Sequence, residues 1–95
     1  MAHFVLVCVD KPGAVALRMA TRQAHFDWLA RHPGVVRLGG PFLDAAGEMA
    51  GSLIIFEAAD LEGARAFAAA DPYAKAGLFE SAELRPWRAT VGTIP

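Results

Sequence analysis

From Phe4 to Val9 every position is apolar, and the run closes on the turn-forming cluster Asp10-Lys11-Pro12-Gly13. A short unbroken apolar run bounded by turn residues predicts a strand covered on both faces. The stretch from Ala14 to about Arg31 is rich in Ala, Leu, Arg, Met and Gln, all good helix formers. His32-Pro33-Gly34 ends it, because proline cannot continue a helix and glycine suits the exit. A second strand is expected from Val35 to about Gly39, and a third over Gly51-Ser52-Leu53-Ile54-Ile55-Phe56-Glu57. Gly39-Gly40-Pro41 and Asp44-Ala45-Ala46-Gly47 frame the link between them. The Gly-Gly-Pro step reads as a sharp bend where the chain passes close to something. Asp60 caps a second helix running to about Ala70, with Leu61, Ala64, Phe67 and Ala68 on its apolar side. Asp71-Pro72 starts a short helix that Gly77 ends, and a last strand runs from Leu78 to Val91.

The order β-α-β-β-α-β predicts an α+β, ferredoxin-like fold with a four-stranded antiparallel sheet in the order 4-1-3-2. The last strand then lies at an edge, where Pro86 is tolerated. Both helices cover one face of such a sheet. If the other met water, its positions would alternate to polar residues, yet Phe4–Val9 and Leu53–Phe56 do not alternate. The second face is therefore expected to pack on a second copy of the chain, giving a homodimer.

Composition sharpens that expectation. Ninety-five residues suffice for one domain spanning 1–95, but 55% of them are hydrophobic, above the usual ~45–50%. A partner subunit would absorb the excess. Nine basic and ten acidic residues leave a formal charge of −1, which argues against a nucleic-acid surface. No apolar run approaches the ~20 residues of a membrane-spanning helix. The opening segment lacks the charged front of a signal peptide, and a single cysteine, Cys8, fits a reducing cytoplasm. Cys8 lies within the first strand and reads as an inert buried thiol.

On the first helix, Leu17, Ala20, Ala24 and Trp28 form the apolar stripe expected to pack on the sheet. Arg18, Arg22, His25 and Leu29 fall within an arc of roughly 60° beside it. Two guanidiniums and an imidazole at the edge of a core require a compensating negative group, either Asp71 or a bound anionic or enolic ligand. His25 is the natural proton handler, since imidazole titrates near neutral pH. A carboxylate would fix its tautomer and orientation. Each residue also has a purely structural reading. His25 would be a partly buried histidine bonded to a backbone carbonyl, and Asp71 an N-cap before Pro72. His3 and His32 show no ligand spacing with Cys8, so no metal site is expected. Tyr73, Phe42 and Trp87 could line a pocket for a planar ligand, although aromatics usually fill cores. Nucleophile-elbow, dinucleotide-binding and paired-cysteine motifs do not occur.

The chain resembles the YciI-like (YCII-related) family over nearly its whole length. The resemblance rests on Asp10-Lys11, Arg18, Arg22-x-Ala24-His25, Gly40-Pro41, Gly51-Ser52, Ala70-Asp71-Pro72-Tyr73, Ala76-Gly77 and the closing Arg85-Pro86-Trp87-Arg88. It departs from the pattern at Gln23, where relatives often have proline. The resemblance implies a ferredoxin-like subunit that pairs into a dimeric α+β barrel. It also implies an active site built on a His-Asp pair, which falls on His25 and Asp71. Arg18, Arg22, Gly40, Ser52 and Tyr73 supply the candidate substrate-binding set. Relatives include a dehydrochlorinase acting on a chlorinated hydroxyquinol.

Two classes of function follow. One is a small cofactor-independent lyase or isomerase in which His25 moves a proton on a small cyclic or aromatic substrate, oriented by Asp71. The other is a non-catalytic ligand-binding or regulatory module accessory to another enzyme. A third possibility is a structural dimer in which Asp71 only caps its helix.

Overall fold

A computed structural model describes all residues, Met1–Pro95. The elements run β1 (Ala2–Asp10), α1 (Val15–Ala30), β2 (Val36–Leu43), β3 (Met49–Ala58), α2 (Leu61–Ala70), α3 (Pro72–Lys75) and β4 (Phe79–Trp87). All pairings are antiparallel and the sheet order is β2-β3-β1-β4. This is the expected ferredoxin-like topology, with β4 and its Pro86 at an edge.

The core lies between the sheet and the helices. Alternation along β1 sends Phe4, Leu6, Cys8 and Asp10 to the helical side, where all four are buried. Phe4, Leu6 and Cys8 form one core cluster with Ile54, Phe56 and Ala58 of β3 and Ala64 of α2. Trp28 of α1 stacks on Phe67 of α2 at 4.5 Å, and Phe67 lies 5.0 Å from Phe56. The two helices are thereby joined through one aromatic cluster. Asp60 caps α2 by accepting from the Gly63 N–H at 2.7 Å. Gly51 sits where a Cβ would come within 2.4 Å of the Cys8 carbonyl oxygen, so β1 and β3 approach closely only because this residue is glycine.

Three sequence expectations require correction. The strand β2 does not stop at Gly39 but runs through Gly40 and Pro41 to Leu43, pairing Gly39 with Ile54 and Pro41 with Ser52. An edge strand accommodates proline because one side of its backbone needs no donor, and bulges flank the segment on both sides. Second, β4 ends at Trp87 rather than Val91. In the single chain the second face of β1 is half-covered, with Val5 and Val7 half-buried and Val9 exposed. Third, α1 is rotated relative to its expected stripe. Leu17, Ala20 and Ala24 face solvent, whereas Arg18, His25 and Trp28 are buried. Ranking side chains by hydrophobicity fails here because both polar residues find charged partners inside.

Candidate active site

Asp10 is the last residue of β1 and continues the inward parity of Phe4, Leu6 and Cys8. It therefore enters the protein beneath α1, where Arg18 comes down to meet it. Arg18 Nε donates to Asp10 Oδ2 at 2.7 Å and Nη2 donates to Oδ1 at 2.9 Å. The same Nη2 donates to Ser52 Oγ on β3 at 2.8 Å. Only 3% of Arg18 is accessible, so this is a buried, bidentate ion pair. Burial alone would lower the Arg18 pKa, but the Asp10 carboxylate outweighs it and holds the guanidinium above its ordinary value.

The second cluster lies one to two turns further along α1. His25 Nδ1 is 2.8 Å from Oδ1 of Asp71, a residue 46 positions later. Asp71 stands between α2 and α3, and the same Oδ1 accepts from the Tyr73 N–H at 2.9 Å. One carboxylate oxygen therefore both caps α3 and meets the imidazole. The other, Oδ2, is buried without a partner. Tyr73 joins the two clusters. Its ring stacks on His25 at 4.3 Å, and the Arg18 guanidinium carbon lies 4.7 Å from its centroid. Burial pushes the Tyr73 phenol above its ordinary pKa, outweighing the opposite pull of Arg18.

With Asp71 accepting the Nδ1 proton, the neutral imidazole presents Nε2 as its free lone pair. His25 lines a cavity of about 220 Å³ between α1 and the β2–β3 half of the sheet. Arg18, Arg22, Gly40, Ser52 and Tyr73 line it too, so the candidate residues converge on one space. They are not equivalent there. Arg18 has most of its donors committed to Asp10 and Ser52, whereas the exposed Arg22 lies 4.8 Å above the Phe26 ring and forms no ion pair. Phe42 and Trp87 lie away from the cavity, on the sheet. His3 sits near Glu57 at 3.5 Å and edge-on to Trp87, and His32 packs edge-on against Trp28 and Phe67. Cys8 lies behind the site with its thiol pushed up to about 12 by burial, with the Asp71 and Asp10 charges adding to the effect.

Sequence reasoning assigned no role to Asp10 as the partner of Arg18. The signal was available: its parity with Phe4, Leu6 and Cys8 aims it inward, and a buried carboxylate must be paired. Phe26 and Met49 of the cavity wall were also missed, and no local pattern distinguishes them from other apolar residues.

Fold and cavity together define a small ferredoxin-like α+β protein holding a His–Asp contact at a space of ligand size. Residues 2–88 match the YCII-related domain. The chain is 32% identical over 93 residues to the protein YciI of Escherichia coli, covering 90% of this chain and 95% of that protein. The YciI protein of Shigella flexneri matches to the same extent, again with 32% identity over 93 residues. The chain belongs to the YCII-related family. Among solved structures it resembles the 5-chloro-2-hydroxyhydroquinone dehydrochlorinase of Burkholderia phenoliruptrix in complex with 2,5-dihydroxybenzoquinone. That match has a TM-score of 0.86 and 30% identity, over 93% of this chain and 95% of that one. A NIPSNAP domain protein from Burkholderia xenovorans shares the fold alone, at 15% identity and a TM-score of 0.56 over the full length of both chains.

Proposed function

We propose that the protein is a cofactor-independent enzyme of the lyase or isomerase type, moving a proton on a small cyclic or aromatic substrate through His25. The observation that carries this reading is the 2.8 Å contact between His25 Nδ1 and a buried Asp71 oxygen, which leaves Nε2 as the base beside the cavity. His25 Nε2 takes a proton from a ring carbon or hydroxyl, and the released electron pair moves onto a ring oxygen. Return of the proton to a ring carbon completes an isomerisation; where that carbon carries a leaving group such as chloride, loss of a second hydroxyl proton then expels it and completes an elimination. Asp71 holds the tautomer and stabilises the imidazolium that forms. Arg22 faces the developing negative charge. The relative that removes chloride from a hydroxylated ring supports the same chemical class here.

The half-covered second face of the sheet supports a homodimer. Val5, Val7 and Leu53 are half-buried there, and Leu38 and Phe42 are exposed at 50% and 40%. A single buried cysteine supports a reducing compartment such as the cytoplasm.

The test of catalysis is His25→Asn, assayed by proton exchange into chlorinated and unchlorinated hydroxyquinols in deuterated buffer. Wild type is expected to catalyse exchange or chloride release, and His25→Asn to lose at least about 100-fold while keeping its circular dichroism. An unchanged rate in the variant ends the proposal.

A further inference from the structure

We infer that Ser52 is the cavity's directed hydrogen-bond donor and that, with Arg22, it selects a single-ring organic anion bearing a phenolate or enolate oxygen. This deepens the catalytic proposal and rests on the same reading of the cavity as the ligand site. Arginine has donors and no acceptor, so the 2.8 Å contact between Arg18 Nη2 and Ser52 Oγ has only one direction. Ser52 accepts, and its own proton must go elsewhere. No protein acceptor takes it, and the residue lines the cavity. Arg18 cannot swing away, because Asp10 grips it through two further hydrogen bonds of 2.7 and 2.9 Å. The cation polarises the Ser52 O–H bond, and polarised donors in series strengthen one another. The result is a fixed donor on the sheet side, facing a space whose helical side holds His25.

The charges around the cavity point the same way. No Asp or Glu lines it. Asp10 is spent on Arg18, and Asp71 lies behind the His25 ring, so its charge is directed at the imidazole. Arg22 alone presents an unpaired cation to the opening. An anion placed between Arg22 and Ser52 meets a cation and a hydroxyl donor, whereas a neutral ring forgoes the charged contact. Size narrows the class. A cavity of about 150 Å³ holds benzene, so about 220 Å³ holds one six-membered ring with a few small substituents. Leu29, Val36 and Ile54 supply apolar wall for such a ring.

The probe is 4-nitrophenol, a single ring whose neutral and ionised forms differ in colour and which titrates near neutral pH. Below the dye's own titration midpoint, excess wild-type protein is expected to turn bound dye to its ionised colour. Ser52→Ala and Arg22→Gln should each weaken binding of the ionised dye roughly 10-fold or more. Ser52→Thr, which keeps the hydroxyl, should recover most of that loss, and thermal melts establish that each variant is folded. Bound dye that keeps its neutral colour, no binding at millimolar protein, or ionised-dye affinity unchanged in Ser52→Ala would each overturn the inference. His25→Asn separates the two claims. If it still binds ionised dye and no substrate is turned over by wild type, catalysis fails and the anion assignment stands. If wild type turns over hydroxyquinols while Ser52→Ala is as active and binds as tightly, the anion assignment fails alone.

Discussion

Replacing Asp10 by Ala should cost more stability than removing any single apolar residue of comparable size. The perturbation strands a guanidinium: the Arg18 and Asp10 side chains are only 4% and 5% accessible, and two short hydrogen bonds join them. Without the carboxylate, Arg18 keeps Ser52 and the face of Tyr73, neither of which carries a negative charge. Breaking one side of a buried ion pair typically costs about 3–5 kcal/mol. At roughly 0.05–0.15 kcal/mol per residue, a chain of this length has about 5–14 kcal/mol in total. The variant therefore forfeits roughly a fifth or more of its stability. Urea unfolding at fixed protein concentration measures this, fixed because association would add its own term. With a urea slope of about 2 kcal/mol/M, the midpoint should fall by roughly 2 M. The double variant Asp10→Leu with Arg18→Met removes both charges and should return to within about 1 kcal/mol of wild type. If Asp10→Ala lies within about 1 kcal/mol of wild type at an unchanged slope, the pair is hydrated in solution and the argument for a locked Arg18 collapses.

Three further outcomes follow from the same geometry. Asp71→Asn keeps a capping oxygen for Tyr73, so stability should change by no more than about 1 kcal/mol, while nitrogen-15 spectra should show His25 losing its uniform Nδ1–H tautomer; an unaltered tautomer would mean that Asp71 does not set it. Cys8 rises from an ordinary 9.0 to about 12 in the folded chain, so the folded state holds a proton that the unfolded state releases. Stability is then fully present below pH 9 and falls as pH climbs towards 12, on the order of 4 kcal/mol across the window. Cys8→Ala should flatten that fall in alkaline urea titrations, and parallel curves for the two proteins would count against a buried thiol. Leu53→Glu, which places a charge opposite Val7 in the half-covered sheet face, should convert a sedimenting dimer to monomer; a wild type already monomeric at micromolar concentration disposes of the homodimer.

Much of this protein can be read along its chain. The apolar run Phe4–Val9, the exit at His32-Pro33-Gly34 and the Asp60 cap mark elements through local chemistry, and they lie where that chemistry puts them. The βαββαβ order then leaves few ways to fold, so the sheet order and the edge position of Pro86 follow. Asp71-Pro72 and Gly77 delimit a four-residue helix that tertiary context needed only to dock. Gly39-Gly40-Pro41 misled, because residues that break a central strand are admissible in an edge strand, and position in a sheet is not a local property.

The site depended on contacts that no window of sequence contains. Which side of α1 turns inward was decided by Asp10 and Asp71, carboxylates waiting on β1 and at the start of α3, and not by the leucine and alanines of the helix itself. Helix spacing places Arg18, Arg22 and His25 on one face, but it cannot say whether that face meets water or protein. Spacing likewise cannot tell that Arg18 is spent on Asp10 while Arg22 stays unpaired. Periodicity is a property of the backbone and is legible in one dimension. Burial of a charge depends on finding its partner in three, and here the partners are eight and 46 residues away.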